Sequence, residues 1–144
     1  MAELNFELLK WQQNVFKDSA RFKVIAAGRR CGKSRLSAVT LLIEGLNCPE
    51  GSSVMYVAPT LGMARTIMWD LLNDLGRPVI KSSHINNLEI TLVNGRKILI
   101  RGADSPDNLR GVSLSYLVMD ECAFIKAEIW EKVLRAALSD KKGR

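Results

Sequence analysis

Apolar residues along this chain change their spacing again and again, and each change marks a predicted element. Phe22-Lys23-Val24-Ile25-Ala26 is a short apolar run of strand type. After a glycine-containing turn, Leu36, Val39, Ile43 and Leu46 fall on one face of a helix, which Asn47-Cys48-Pro49 stops. Ser53 to Ala58, built on Val54-Met55-Tyr56-Val57, predicts a second strand ending at Pro59-Thr60. Met63, Ile67, Leu71 and Leu75 lie one turn apart and predict a helix closed by Gly76 and Pro78. Leu88 to Val93 and Lys97 to Ile100 flank Asn94-Gly95, a strong hairpin signal. Residues 101–113 are polar and punctuated, which suits a loop or a short turn, and Leu114 to Met119 has the apolar run of a strand buried on both faces of a parallel sheet. A last helix carries Ile129, Trp130, Val133, Leu134, Ala137 and Leu138, and at the other end residues 4–17 read as a helix with Phe6, Leu9 and Phe16 on one side.

Chemistry enters at two of these boundaries. The first strand runs into Ala27-Gly28-Arg29-Arg30-Cys31-Gly32-Lys33-Ser34, a phosphate-binding loop with Ala in place of the usual first Gly. Triphosphates need many donors in a small space, and backbone N–H groups at a strand-to-helix turn supply them. Gly32 lets the backbone approach the phosphate, Lys33 offers an ammonium to the β- and γ-phosphates, and Ser34 offers a hydroxyl to Mg²⁺. Gly28, Arg29, Arg30, Cys31 and Arg35 complete the expected nucleotide-contacting set. The second boundary is the end of the last strand, where Asp120-Glu121 follows Tyr116-Leu117-Val118-Met119. Ligands of open α/β sheets bind at the carboxyl ends of the strands. Asp120 is therefore expected to hold Mg²⁺ and Glu121 to deprotonate an attacking water, the pairing of an ATP hydrolase. The plainer alternatives are a glycine turn with a solvated Lys, and a capping Asp beside a surface Glu.

The element order predicts one α/β domain over residues 1–144, a RecA-like P-loop NTPase. Its sheet is mostly parallel, with helices on both faces and an antiparallel hairpin. A RecA-like sheet has more strands than this chain supplies, and the polar stretch Ser139 to Arg144 would ordinarily lead into another, so the domain is expected to be incomplete at its C-terminus. An apolar fraction of 47% suits a packed core, and no stretch reaches membrane-spanning length. Neither a signal peptide nor a disulfide or metal spacing among Cys31, Cys48 and Cys122 is expected, which points to a reducing cytoplasm. The net charge of +6 permits a polyanionic partner without establishing one. His84 reads as a loop residue, the three tryptophans as packing, and Met55, Met63, Met68 and Met119 as core filler.

Taken together the motifs resemble the N-terminal ATPase region of the phage large terminase subunit, a DNA-packaging motor, from about Leu9 to Gly143. The segments that carry the resemblance are Trp11 to Val15, Ala27 to Ser34, Val57 to Thr60, Gly102 to Gly111 and Val118 to Glu121. The resemblance implies an ATP-driven motor that moves double-stranded DNA into a procapsid. It also implies a homo-oligomeric ring on the portal protein, a small terminase subunit as partner, a monomer when isolated, and a place in the bacterial cytoplasm. It makes Gln12 the candidate adenine reader, with a solvated helix face as the alternative for Gln12 and Gln13. Arg110 becomes the candidate that completes a neighbour's site, against a loop arginine bridging Asp104 or Asp107; Arg29 and Arg30 are alternative γ-phosphate sensors. The Ser/Thr-rich coupling strand and the nuclease domain of the family are not found in these residues, so DNA cleavage is not expected of this chain. Other readings are a helicase-like RecA-type ATPase and a non-catalytic remnant.

Overall fold

The structure, a computed structural model, describes Leu4 and residues 6–144. In chain order its elements are α1 (Lys10–Lys17), α2 (Lys33–Asn47), β1 (Ser53–Ala58), α3 (Leu61–Ala64), α4 (Asp70–Gly76), β2 (Ile80–His84), β3 (Glu89–Leu92), β4 (Lys97–Gly102), β5 (Leu114–Met119), α5 (Ala127–Ile129) and α6 (Arg135–Ser139). A π-helical turn, Arg65–Trp69, joins α3 to α4, and another, Trp130–Leu134, joins α5 to α6.

The strands form one sheet in the order β2-β3-β4-β1-β5. β1 is parallel to both β4 and β5, whereas β2–β3 and β3–β4 are antiparallel. The sheet is thus mixed rather than mostly parallel. Alternation along β1 builds two cores. Val54, Tyr56 and Ala58 pack with α2, α3 and α4, while Met55 and Val57 pack with Leu109, Ile129, Leu134 and Leu138 on the opposite face. Helices therefore cover both faces, as the element order predicts.

Four expectations change. The helix read over residues 4–17 begins only at Lys10; of that range, Asn5 lies outside the described residues. On the second helical run the fully buried positions are Ala64, Met68, Leu72 and Gly76, one residue later than those predicted, while Ile67, Leu71 and Leu75 are partly buried against the same core. Met63, expected in the core, is 39% exposed. β2 was not legible: Lys81, Ser82, Ser83 and His84 lack apolar alternation because this edge strand leaves most of its side chains in water. His84 closes that strand instead of lying in a loop.

The fourth change bears on the site. Residues 22–26 belong to no strand, and Val24 is 95% exposed. A strand needs a hydrogen-bonding neighbour, and none of the described residues offers one to this segment. It faces the outer edge of β5 across a cavity of about 540 Å³. Among the described residues that edge is paired only around Tyr116, where the Arg144 carbonyl accepts from the Leu117 N–H at 2.6 Å and the Arg144 N–H donates to the Ser115 carbonyl at 3.0 Å, a parallel pattern. β5 is accordingly half-buried beyond Leu114, not enclosed on both faces.

The displaced helix face gives a direct test. Leu72→Ala should lower the unfolding free energy in urea by about 2–5 kcal/mol, the range for emptying a buried leucine site. Met63→Ala should change it by less than about 0.5 kcal/mol. The reverse order would restore the face read from sequence.

Candidate active site

The turn between residues 22–27 and α2 holds two left-handed residues, Arg30 (φ 59°) and Gly32 (φ 90°). Gly32 is required twice over, because an added Cβ would also lie 2.6 Å from Gln12 Nε2. Gln12 is 1% exposed; its Nε2 donates to the Gly32 carbonyl at 2.8 Å and its Oε1 accepts from the Leu9 N–H at 2.7 Å. Each end of the expected adenine-reading amide thus holds one backbone group, and Gln12 clasps the loop to α1. Gln13 is exposed.

Among the described residues, none of the N–H groups of residues 28–35 donates to a protein acceptor. α2 begins at Lys33 with no side-chain cap and no acidic residue in its first turn. Its positive end is left for an external anion. The Lys33 Nζ donates to the Ala27 carbonyl at 3.0 Å, which leaves two of its three N–H donors for an anion. Arg29 and Arg30 are exposed, Ser34 and Arg35 half-buried, and none of the three arginines forms an ion pair with a described residue. Cys31 turns its Sγ toward the Arg29 carbonyl, 3.7 Å away.

The acidic pair sits where β5 leaves the sheet. The Asp120 N–H donates to the Val57 carbonyl at 2.8 Å, one step beyond the last β1–β5 pair. Its carboxylate accepts twice, from the Tyr56 hydroxyl at 2.6 Å on Oδ2 and from the Glu121 N–H at 2.9 Å on Oδ1. Burial, and then the bond to Asp120 and the charges of Asp120 and Glu121, push the Tyr56 hydroxyl far above its ordinary value, so it stays a donor. Glu121 is exposed and left-handed (φ 51°, ψ 43°), an unfavourable conformation for a non-glycine residue.

Lys33 and Asp120 line one and the same cavity, with Ser37, Thr40, Tyr116 and the 20–25 segment among its other walls. Ser34 and Glu121 adjoin these two in sequence without lining it. The structure does not bring Arg110 there. Its side chain is largely exposed and lies 3.9 Å from Asp107, itself fully exposed, a pair of little energetic weight. Asp104 is engaged elsewhere, accepting from the Leu61 N–H at 3.2 Å. Among the described residues no three His, Cys, Asp or Glu side chains form a metal cluster. One carboxylate and one hydroxyl match the sparse protein ligation of Mg²⁺, which takes its other ligands from phosphates and water.

The family model "Terminase large subunit, T4likevirus-type, N-terminal" matches residues 24–144. This chain belongs to that family. Terminase large subunits of Thermus phage G20c and Thermus virus P23-45 are each 27% identical to it over 170 aligned positions. The alignment covers 96% of the chain but 33% of either relative, so the chain spans about a third of their length. Among solved structures, the large terminase ATPase domain of Thermus phage P74-26 superposes with a TM-score of 0.80 at 27% identity, covering 97% of this chain and 63% of that one. The large terminase of another thermophilic bacteriophage, in complex with ADP, gives 0.62 at 19% identity, over 78% of this chain and 29% of that one, a likeness of fold alone. No helix among the described residues is long and apolar enough to cross a membrane.

The role of Gln12 as a clasp predicts a loss of stability. Gln12→Ala leaves the Gly32 carbonyl and the Leu9 N–H without their partner and should cost about 1–3 kcal/mol in urea denaturation. It should also speed amide exchange across residues 28–33. Gln13→Ala should do neither.

Proposed function

We propose that this chain is the nucleotide-binding part of a phage DNA-packaging motor and hydrolyses ATP at the cleft between the α2 N-terminus and the end of β5. The observation that carries this reading is that Lys33 and Asp120 face a single cavity. The unengaged N–H groups of residues 28–35 favour it, since they suit a polyphosphate and have no other acceptor among the described residues.

In this reading the loop amides and the Lys33 ammonium hold the β- and γ-phosphates. The Ser34 hydroxyl and the Asp120 carboxylate hold Mg²⁺, which when bound neutralises charge on the phosphate oxygens. Glu121 accepts a proton from water as the water oxygen bonds to the γ-phosphorus; the β–γ bridging bond breaks and its electron pair leaves with ADP. Arg110, exposed and weakly held, serves a neighbouring subunit by stabilising charge on the transferring group. Arg29 and Arg30 lie in the loop as further partners of the γ-phosphate. The larger protein would then work as a ring with portal protein and small subunit, and drive double-stranded DNA in the host cytoplasm.

Separated binding and turnover assays test the assignment. Lys33→Ala should abolish nucleotide binding. Glu121→Gln should keep binding and lower turnover by at least about a hundredfold, the lower bound for a general base. Turnover at the parent rate in Glu121→Gln would remove Glu121 as the base. Arg110→Ala should slow only the assembled ring, by about a thousandfold; an equal loss in dilute monomer would remove its role in trans.

A further inference from the structure

Tyr56 is the one large polar-tipped side chain in β1, and it is wholly buried. Phenylalanine would fill the same core, so the hydroxyl needs a separate explanation, and a buried hydroxyl needs a partner. The sheet register supplies one. Tyr56 pairs with Val118 of β5, so Asp120, two residues further along β5, projects on the same face as its diagonal neighbour. The hydroxyl meets Asp120 Oδ2 at 2.6 Å, and the other oxygen, Oδ1, takes the Glu121 N–H at 2.9 Å.

We propose that Tyr56 is the positioning residue of the acidic pair. Its hydroxyl fixes the Asp120 carboxylate, and Asp120 Oδ1 in turn holds the left-handed backbone at Glu121. The two bonds approach different oxygens, so each oxygen keeps a second lone pair for a metal-bound water. The orientation of the carboxylate is thus set by a β1 side chain that does not itself line the cavity. A left-handed glutamate persists only where its surroundings over-determine it, and here the chain of contacts runs from the buried core of β1 to the exposed base. The inference rests on Asp120 as the metal-holding carboxylate for its effect on metal affinity, but not for its effect on Glu121.

Tyr56→Phe tests it on the whole chain with two readouts. Magnesium titration of ADP binding, set against ADP binding without metal, should show half-saturation at a roughly tenfold higher Mg²⁺ concentration, as for loss of a hydrogen bond to a charged group. Metal-free ADP affinity and the circular dichroism spectrum should stay as in the parent. In metal-free protein the Glu121 amide proton should move upfield as its bond to Asp120 loosens. A variant with the parent's magnesium midpoint and an unmoved Glu121 amide overturns the proposal. Asp120→Asn separates the two claims. If it leaves magnesium dependence intact, Asp120 is not the metal carboxylate, and the Glu121 amide alone decides the role of Tyr56. The parent gives a check that needs no variant: the Tyr56 hydroxyl proton should be protected from exchange with water, and free exchange contradicts the proposal.

Discussion

β1 is buried along its length and paired in parallel on both edges, and the geometry of the site follows from that strand. Its register with β5 puts the Asp120 N–H on the Val57 carbonyl and the Asp120 carboxylate beside the Tyr56 hydroxyl. Its α2-facing side chains seat the helix whose first residue is Lys33. Cation and carboxylate thus reach one cavity because both are referred to the same strand. A one-residue slip of β5 would turn Asp120 to the opposite face, toward Leu134 and Leu138, where it would have neither Tyr56 nor Lys33 as neighbour.

The loop depends on a different and softer support. With residues 22–26 unpaired, the turn at 28–32 is held on one side by α2 and on the other by Gln12, a buried amide reaching across from α1. Lys33 resting on the Ala27 carbonyl adds a further contact. A cradle of this kind is ordered by its helix and clasp, whereas the acidic pair is ordered by the sheet. The proposed reaction joins a soft half to a rigid half.

Legibility in the sequence followed the source of each constraint. β1, the hairpin around Asn94-Gly95, α2 and its stop at Asn47-Cys48-Pro49 were readable because local apolar spacing and turn residues specify them. That Lys33 and Asp120 come to one cavity was readable from their places at a helix start and a strand end, while the roles proposed for them, for Ser34 and for Glu121 rest on the chemistry of those residue types. What escaped depends on neighbours distant in sequence. Val24 and Ile25 have strand-type side chains but no strand beside them. Ser82 and Ser83 have poor strand patterning but β3 to pair with. Ala64, Met68 and Leu72 lie at the centre of the buried face, with Ile67, Leu71 and Leu75 beside them at its margin, because the phase of a helix against its sheet is set by tertiary packing that spacing alone does not specify. The clasp made by Gln12 was not legible because nothing in Trp11-Gln12-Gln13 shows that Gly32 lies within reach, and Tyr56 read as one more apolar strand residue because its partner is 64 positions away.

The central claim is that the loop and the acidic pair hold one nucleotide–metal complex. Diffraction from crystals grown with a non-hydrolysable ATP analogue and Mn²⁺, collected at the manganese absorption edge, locates the metal directly. The account predicts a single anomalous peak bonded to Ser34 Oγ and within one water of Asp120, with Lys33 on the phosphates. A nucleotide seated in the loop with its metal remote from Asp120, or phosphates bound away from residues 28–34, would contradict it.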